Sequence, residues 1–167
     1  MYSLKVGSKE FQIGHESLSS LVSSIPDHPD NLELITELAK HPSAVVRRQV
    51  ASKSKLSESA LIELSKDKDH DVIKNLFYSD AFKKFANFEL MKNFIELNDI
   101  EILRMIASNF ESFDNCDPSE LLTILICHPD PYVRLNIAQN WSTPKKLLKT
   151  LRTDTDADVR IAAHRDS

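Results

Sequence analysis

Glycine is almost missing from this chain of 167 residues, which contains only Gly7 and Gly14. A loop that cradles phosphate groups needs several glycines close together, so the sequence excludes a P-loop and a dinucleotide-binding fingerprint. Glycine also punctuates turns and loops. Its scarcity therefore favours a mostly helical chain with short, polar connections.

Cysteine and long apolar runs are also scarce. Cys116 and Cys127 are the only cysteines, too few for a disulfide framework, a four-cysteine zinc site or an iron–sulfur cluster. No apolar run approaches the length of a bilayer, and the N-terminus lacks the continuous apolar stretch of a signal peptide. We therefore expect a cytoplasmic protein with no membrane association, no cofactor and no bound metal.

The chain has slightly fewer positively charged than negatively charged residues. The formal net charge is −4 and the isoelectric point is near 5.9, so the molecule as a whole does not attract polyanions. This makes nucleic acid an improbable partner, although it leaves room for a local basic face. The composition, with 41% hydrophobic and 28% charged residues, is that of a globular domain.

What the sequence does contain is a repeated pattern, Asp-x-x-Val-Arg. It is clearest in the last two copies, which begin at Asp130 and Asp156, and weaker copies begin at Ser43, Asp69 and Asp99. The apolar residue of each copy, called the anchor below, recurs at intervals of 26, 30, 31 and 26 residues. The five anchors are Val46, Val72, Ile102, Val133 and Val159.

Each copy has the features of two consecutive helices. The first residue of the pattern is a preferred helix N-cap, and the anchor shares a helical face with an apolar residue four positions later. Another apolar residue, eight positions before the anchor, belongs to a preceding helix. We predict first helices over 31–40, 57–66, 87–97, 118–127 and 144–152, and second helices over 44–53, 70–79, 99–109, 131–139 and 157–165.

A two-helix unit this short cannot bury its own apolar face, so it must stack on its neighbours. The sequence therefore predicts an all-α fold, a right-handed α-solenoid of about five short two-helix repeats. We expect one helical-repeat domain over 1–167, with repeats over 30–167 and an N-terminal cap over 1–29. The cap includes a helix over 15–24 and, from the alternation around Gly7, a small β-hairpin.

The C-terminal repeats resemble the leucine-rich repeat variant family, a HEAT-like helical solenoid. The resemblance rests on residues 128–134 and 137–144, followed by Leu147, Leu148 and Leu151, and it extends loosely over 31–167. The sequence departs from the family at Ile73 and Leu103, which replace arginine, and at Trp141, where proline is usual. Relatives in the wider HEAT-like class bind proteins, and one branch, the alkylation-repair glycosylases, acts on DNA.

The repeated arginines, Arg47, Arg134 and Arg160, have two interpretations. They form either a basic strip for phosphates and acidic side chains or a structural ladder. In the ladder each arginine bonds the cap aspartate or the carbonyl groups of an adjoining repeat. We favour the ladder because the planar guanidinium suits bridging contacts and because both partners recur together.

The outward positions of the second helices are better candidates for binding, since they line the concave surface of such solenoids. This strip mixes cations, amides and apolar residues and contains no carboxylate, so we expect a protein partner with an acidic patch. The alternative is an ordinary solvated helix face. The candidate protein-binding residues are Arg48, Lys74, Tyr78, Arg104, Leu135, Asn136, Gln139 and Trp141.

The remaining candidates favour structural roles. Seven phenylalanines between Phe77 and Phe113 have the spacing of a buried helix face, and the histidines lie too far apart in the repeat to share a metal ion. No catalytic motif is present. We therefore expect a non-enzymatic protein-binding scaffold or adaptor. The alternative is a nucleic-acid-binding or DNA-base-repair protein of the HEAT-like class.

Overall fold

The computed structural model of the protein describes residues 2–165 and is mostly helical. The chain divides into two compact units, one ending at Phe85 and the other beginning at Ala86. Both units consist mainly of short helices. The prediction of a single repeat domain stays a prediction.

The first unit begins with two antiparallel strands, β1 (Tyr2–Val6) and β2 (Lys9–Ile13), in which Leu4 is paired with Phe11. Gly7 lies in the turn between them with φ +61°, a conformation that favours glycine. Six helices follow: α1 (His15–Ser24), α2 (Leu32–Leu38), α3 (Ala44–Ala51), α4 (Glu58–Ser65), α5 (His70–Tyr78) and α6 (Asp80–Phe85).

The second unit contains α7 (Phe88–Glu96), α8 (Ile100–Asn109), α9 (Pro118–Leu125), α10 (Pro131–Gln139), α11 (Lys145–Leu151) and α12 (Ala157–Ala163). Every helix predicted from the repeat is present, with ends that differ from the prediction by at most two residues. The helix predicted over 15–24 is also confirmed. Helix α6 was not predicted.

The second helices of the repeats pack side by side within each unit. In the first unit α3 lies between α1 and α5, and in the second unit α10 lies between α8 and α12. All five anchors are buried, with exposures of 1% or less, as the predicted pattern requires. Burying these apolar anchors removes them from water, which is the main stabilising contribution to such a stack.

Four of the five predicted N-caps are formed. The carboxylates of Asp69, Asp99, Asp130 and Asp156 accept hydrogen bonds from backbone amides in the first turn that follows. Ser43 occupies the same position before α3, but its side chain makes no capping hydrogen bond, so that part of the prediction is wrong. There the amide of Ser43 instead donates to Nδ1 of His41.

The central phenylalanines are core residues, as predicted. Phe85 and Phe88 are half-buried, and the other five are buried. Phe82, on the unpredicted α6, is completely buried, and its ring centroid lies 5.2 Å from that of Phe77. Helix α6 thus packs against α5 in the first unit. Between residues 2 and 165 no helix combines the length and the apolar character needed to cross a bilayer.

Candidate protein-binding surface

Arg47 and Arg134 form nearly buried ion pairs and Arg160 donates to backbone carbonyls, so the repeated arginines do not present a basic strip. Nε and Nη2 of Arg134 each donate to Asp154 at 2.8 Å, and its Nη1 donates to the carbonyls of His128 and Pro129 at 2.6 and 3.0 Å. The Asp154 side chain is only 8% exposed. Arg134 therefore has the structural role that the ladder interpretation predicts, but the predicted partner is wrong, because the acid is Asp154, two residues before the cap aspartate.

Arg47 repeats this arrangement in the first unit. Its Nε and Nη2 donate to Asp67 at 2.5 and 2.9 Å, and its Nη1 donates to the carbonyls of His41 and Pro42. Arg160 makes the same two carbonyl contacts, with Asp154 and Thr155. The carbonyl groups thus belong to the turn of the arginine's own repeat rather than to an adjoining one.

The two positions at which the repeated pattern lacks arginine have a physical explanation. Ile73 and Leu103 stand where the other repeats have arginine, and both are buried. The acid position, five residues before the next anchor, is then occupied by Leu97 and His128 instead of aspartate. Cation and carboxylate are replaced together, so neither charge is left buried without a counterpart.

These ion pairs shift the ionisation of their carboxyl groups. Hydrogen bonds from Arg134 hold the pKa of Asp154 below its usual value, although burial acts in the opposite direction. Burial would raise the pKa of Asp67, but the hydrogen bonds from Arg47 and from the Asp69 amide outweigh it and lower the pKa. Both carboxyl groups are therefore ionised at neutral pH.

A second ladder, made of hydrogen bonds from side chains to backbone carbonyls, joins the C-terminal ends of the packed helices. Oγ of Ser79 donates to the carbonyl of Lys53 at 2.8 Å, and Nδ2 of Asn140 donates to that of Ser108 at 2.9 Å. Lys53, itself 7% exposed, donates through Nζ to the Ile25 carbonyl at 2.5 Å. Sequence reasoning missed this ladder, whose only signal is a polar residue seven positions after the anchor.

In the first unit the predicted strip is not basic. Arg48 makes two hydrogen bonds to Asp69, at 3.0 and 2.8 Å, and its Nη2 lies 3.0 Å from Asp71. Nζ of Lys74 lies 3.6 Å from Asp71. The expectation of a strip without carboxylates is wrong here, because the start of α5 lies beside α3. Tyr78, at the end of α5, is 70% exposed.

In the second unit the strip follows α10. The guanidinium of Arg104 lies 5.4 Å from the centroid of the Tyr132 ring, which is 57% exposed. Oγ of Ser108 donates to Asn136 at 2.8 Å, so this amide also ties α10 to α8. The remaining predicted residues of this helix are Leu135, which is half-buried, and Gln139, which is exposed.

Trp141 follows α10 and is 83% exposed. The guanidinium of Arg165 lies 5.0 Å from the centroid of its indole, and Nη2 of Arg165 donates to the Asn140 carbonyl. Two cation–π pairs thus flank one helix. We call Arg104, Tyr132, Asn136, Gln139, Trp141 and Arg165 the α10 surface.

Sequence reasoning missed Tyr132 as part of this surface. Tyr132 immediately precedes the anchor Val133, and the strip was sought only at positions after each anchor. Tyr132 and Asn136 are four residues apart and hence share a face of α10. The four-residue spacing between Tyr132 and Asn136 was the sequence signal that could have placed Tyr132 on this surface.

The histidines have structural contacts. Nδ1 of His128 accepts a hydrogen bond from the Asp130 amide at 3.2 Å, and Nδ1 of His41 accepts one from Ser43. Both histidines thereby shape the turn before a packed helix. Within residues 2–165 there is no group of three or more histidine, cysteine, aspartate or glutamate side chains that would hold a metal ion.

No protein-family model, curated protein or solved structure matches this chain. The likeness to the leucine-rich repeat variant family consequently rests on the sequence pattern. The function must be inferred from the surfaces of the two units.

Proposed function

We propose that the protein is a non-enzymatic binding scaffold, a right-handed solenoid of about five HEAT-like repeats of the leucine-rich repeat variant type. The repeated contacts support this proposal. Arg47 and Arg134 have equivalent aspartate and carbonyl partners, and in each unit the second helices of the repeats are packed side by side. Such a stack presents an extended surface, and surfaces of this kind bind other macromolecules.

The observation that carries the binding proposal is the exposure of large side chains on the α10 surface. Trp141 is 83% exposed and Tyr132 is 57% exposed, while Ile161 on the adjacent α12 is 71% exposed. Tryptophan, tyrosine and arginine are the residues most enriched at the energetic centres of protein interfaces. A partner that covered these side chains would gain apolar burial and cation–π contacts together.

The charges favour a protein partner over nucleic acid. Arg47, Arg48 and Arg134 are held by carboxylates, so they are not available to neutralise phosphates. Aromatic and amide side chains with only a few free cations are typical of a protein interface.

Affinity capture from a nuclease-treated lysate of the source cell tests this function. Wild type is compared with the double variant Tyr132→Ala/Trp141→Ala and with Lys149→Ala, which removes an exposed side chain of α11 outside the α10 surface. We expect a protein that wild type and the Lys149 variant retain and the double variant loses. Equal recovery by all three, or recovery of nucleic acid alone when nuclease is omitted, would refute the proposal.

A further inference from the structure

Resting on the proposed function, we propose that the α10 surface binds an extended, acidic segment of the partner protein. Two carboxylates of that segment pair with Arg104 and Arg165, and apolar side chains two positions from them, on the same face, pack on Tyr132 and Trp141. The reasons lie in the state of these two arginines, in their separation and in the charges around them.

Arg104 and Arg165 differ from the ladder arginines. Arg47 and Arg134 each make two hydrogen bonds to an aspartate, whereas neither Arg104 nor Arg165 has an ion pair among the described residues. Both are stacked on exposed aromatic rings. A guanidinium beside an aromatic face is oriented in advance for a carboxylate, which it binds through two parallel hydrogen bonds.

Arg165 has unused donors. Nε and Nη1 are inaccessible to solvent and have no hydrogen-bond partner among the described residues, while Nη2 donates to the Asn140 carbonyl. Buried donors without an acceptor carry a free-energy cost that an incoming carboxylate relieves.

The separation of the two cation–π pairs determines the form of the segment. Tyr132 lies in the first turn of α10 and Trp141 lies two residues beyond its last residue, so the two rings are at opposite ends of a nine-residue helix that is roughly 13 Å long. An extended chain advances about 3.3 Å per residue, so it covers this distance in about four residues. Side chains four positions apart in an extended strand also point to the same face, as two anchors on one surface require.

Neighbouring carboxylates restrict where negative charge is tolerated. Oε2 of Glu111 lies 3.1 Å from Nδ2 of Asn140, and Asp158 is exposed in the first turn of α12. A segment with acids at every position would meet repulsion from these groups. We therefore expect acidic residues at two positions separated by four, with uncharged residues between them.

Selection from a displayed library of random twelve-residue peptides tests this inference on the full chain. The immobilised proteins are wild type, Arg104→Gln, Arg165→Gln and, as the matched loss of one positive charge, Lys149→Gln. We expect wild type and the Lys149 variant to enrich the same tryptophan-free peptides, with acids four apart and apolar residues two positions from them. Each arginine variant should bind the synthetic consensus peptide about tenfold more weakly.

Fluorescence titration provides the direct readout, because Trp141 is the only tryptophan in the chain. The consensus peptide should shift the emission of Trp141, whereas a peptide with acids at consecutive positions and one with lysine in place of both acids should not. No enriched peptide, a consensus without carboxylates, or binding of the consensus peptide by both arginine variants as tight as by wild type would overturn the inference. If the lysate partner still depends on Tyr132 and Trp141, the scaffold function survives that result.

Discussion

At the scale of single residues, the arginines of this chain have different roles although they look alike in the sequence. Arg134 is tied to Asp154 and to two carbonyls, whereas Arg104 rests on an exposed tyrosine ring. The repeat register predicted the structural role of Arg134. It did not predict that Arg48 is paired with Asp69, because that contact joins residues 21 positions apart in adjoining repeats.

Replacing Asp154 with Asn should destabilise the protein by about 3 kcal/mol, because it leaves the nearly buried Arg134 without its counter-charge. Urea unfolding followed by circular dichroism measures this loss. Asp114→Asn, which removes an exposed carboxylate, is the control and should cost less than about 0.5 kcal/mol. Equal stability of the two variants would show that the ion pair contributes nothing.

The same ion pairs predict an acid-sensitive stability. The pKa values of Asp67 and Asp154 are lowered in the folded protein, relative to about 3.9 in an unfolded chain. Their contribution is therefore complete above about pH 4 and is lost as the pH falls through the folded-state pKa values. The difference in unfolding free energy between wild type and Asp154→Asn should shrink when urea unfolding is repeated at successively lower pH. A difference that stays constant with pH would contradict the assignment.

At the scale of helices, the sequence was highly informative because each second helix combines a cap, an anchor and a fixed spacing. Helix α6 was not predicted because it contains no copy of the Asp-x-x-Val-Arg pattern and is only six residues long. The missing cap bond at Ser43 was equally unpredictable from the sequence. Serine and aspartate are both favoured caps, and only the structure shows that the Ser43 side chain makes no capping hydrogen bond.

Two equivalent cap positions, Asp156 and Ser43, provide a test substitution and its control in the same chain. Oδ1 of Asp156 accepts from the amides of Asp158 and Val159 at 2.9 and 3.1 Å, whereas the Ser43 side chain caps nothing. Asp156→Ala should therefore cost about 1 kcal/mol of unfolding free energy, and Ser43→Ala only a few tenths. Thermal and urea unfolding of the two variants, measured side by side, test the difference. A larger loss for Ser43→Ala would mean that the cap assignments are reversed.

At the scale of the whole molecule, the candidate surface was only partly predictable. The strip positions after each anchor pointed to Arg104, Asn136, Gln139 and Trp141, but nothing in the sequence showed that Trp141 would be exposed rather than packed between repeats. Exposure depends on how neighbouring helices meet, which is a property of the tertiary fold. The tertiary fold also brings the carboxylates of Asp69 and Asp71 beside Arg48, where they neutralise the strip in the first unit.

These charges lead to a prediction about nucleic acid. The chain carries a net charge of −4, and Arg47, Arg48 and Arg134 are in ion pairs with aspartates. The α10 surface has only Arg104 and Arg165 as cations, so it can release few counterions from a phosphate backbone, and that release drives non-specific binding. We expect no saturable binding of a labelled short DNA duplex or single strand at protein concentrations up to about 10 µM near physiological salt.

Fluorescence anisotropy at several salt concentrations checks this expectation. Weak association at low ionic strength that disappears as salt is added is compatible with a protein-binding scaffold, because screening removes diffuse attraction. Micromolar or tighter binding at physiological salt, weakened by Arg104→Gln and unaffected by Lys149→Gln, would instead assign the α10 surface to nucleic acid. The free guanidiniums of Arg104 and Arg165 would then serve phosphates, and the acidic-segment proposal would fail with the scaffold function.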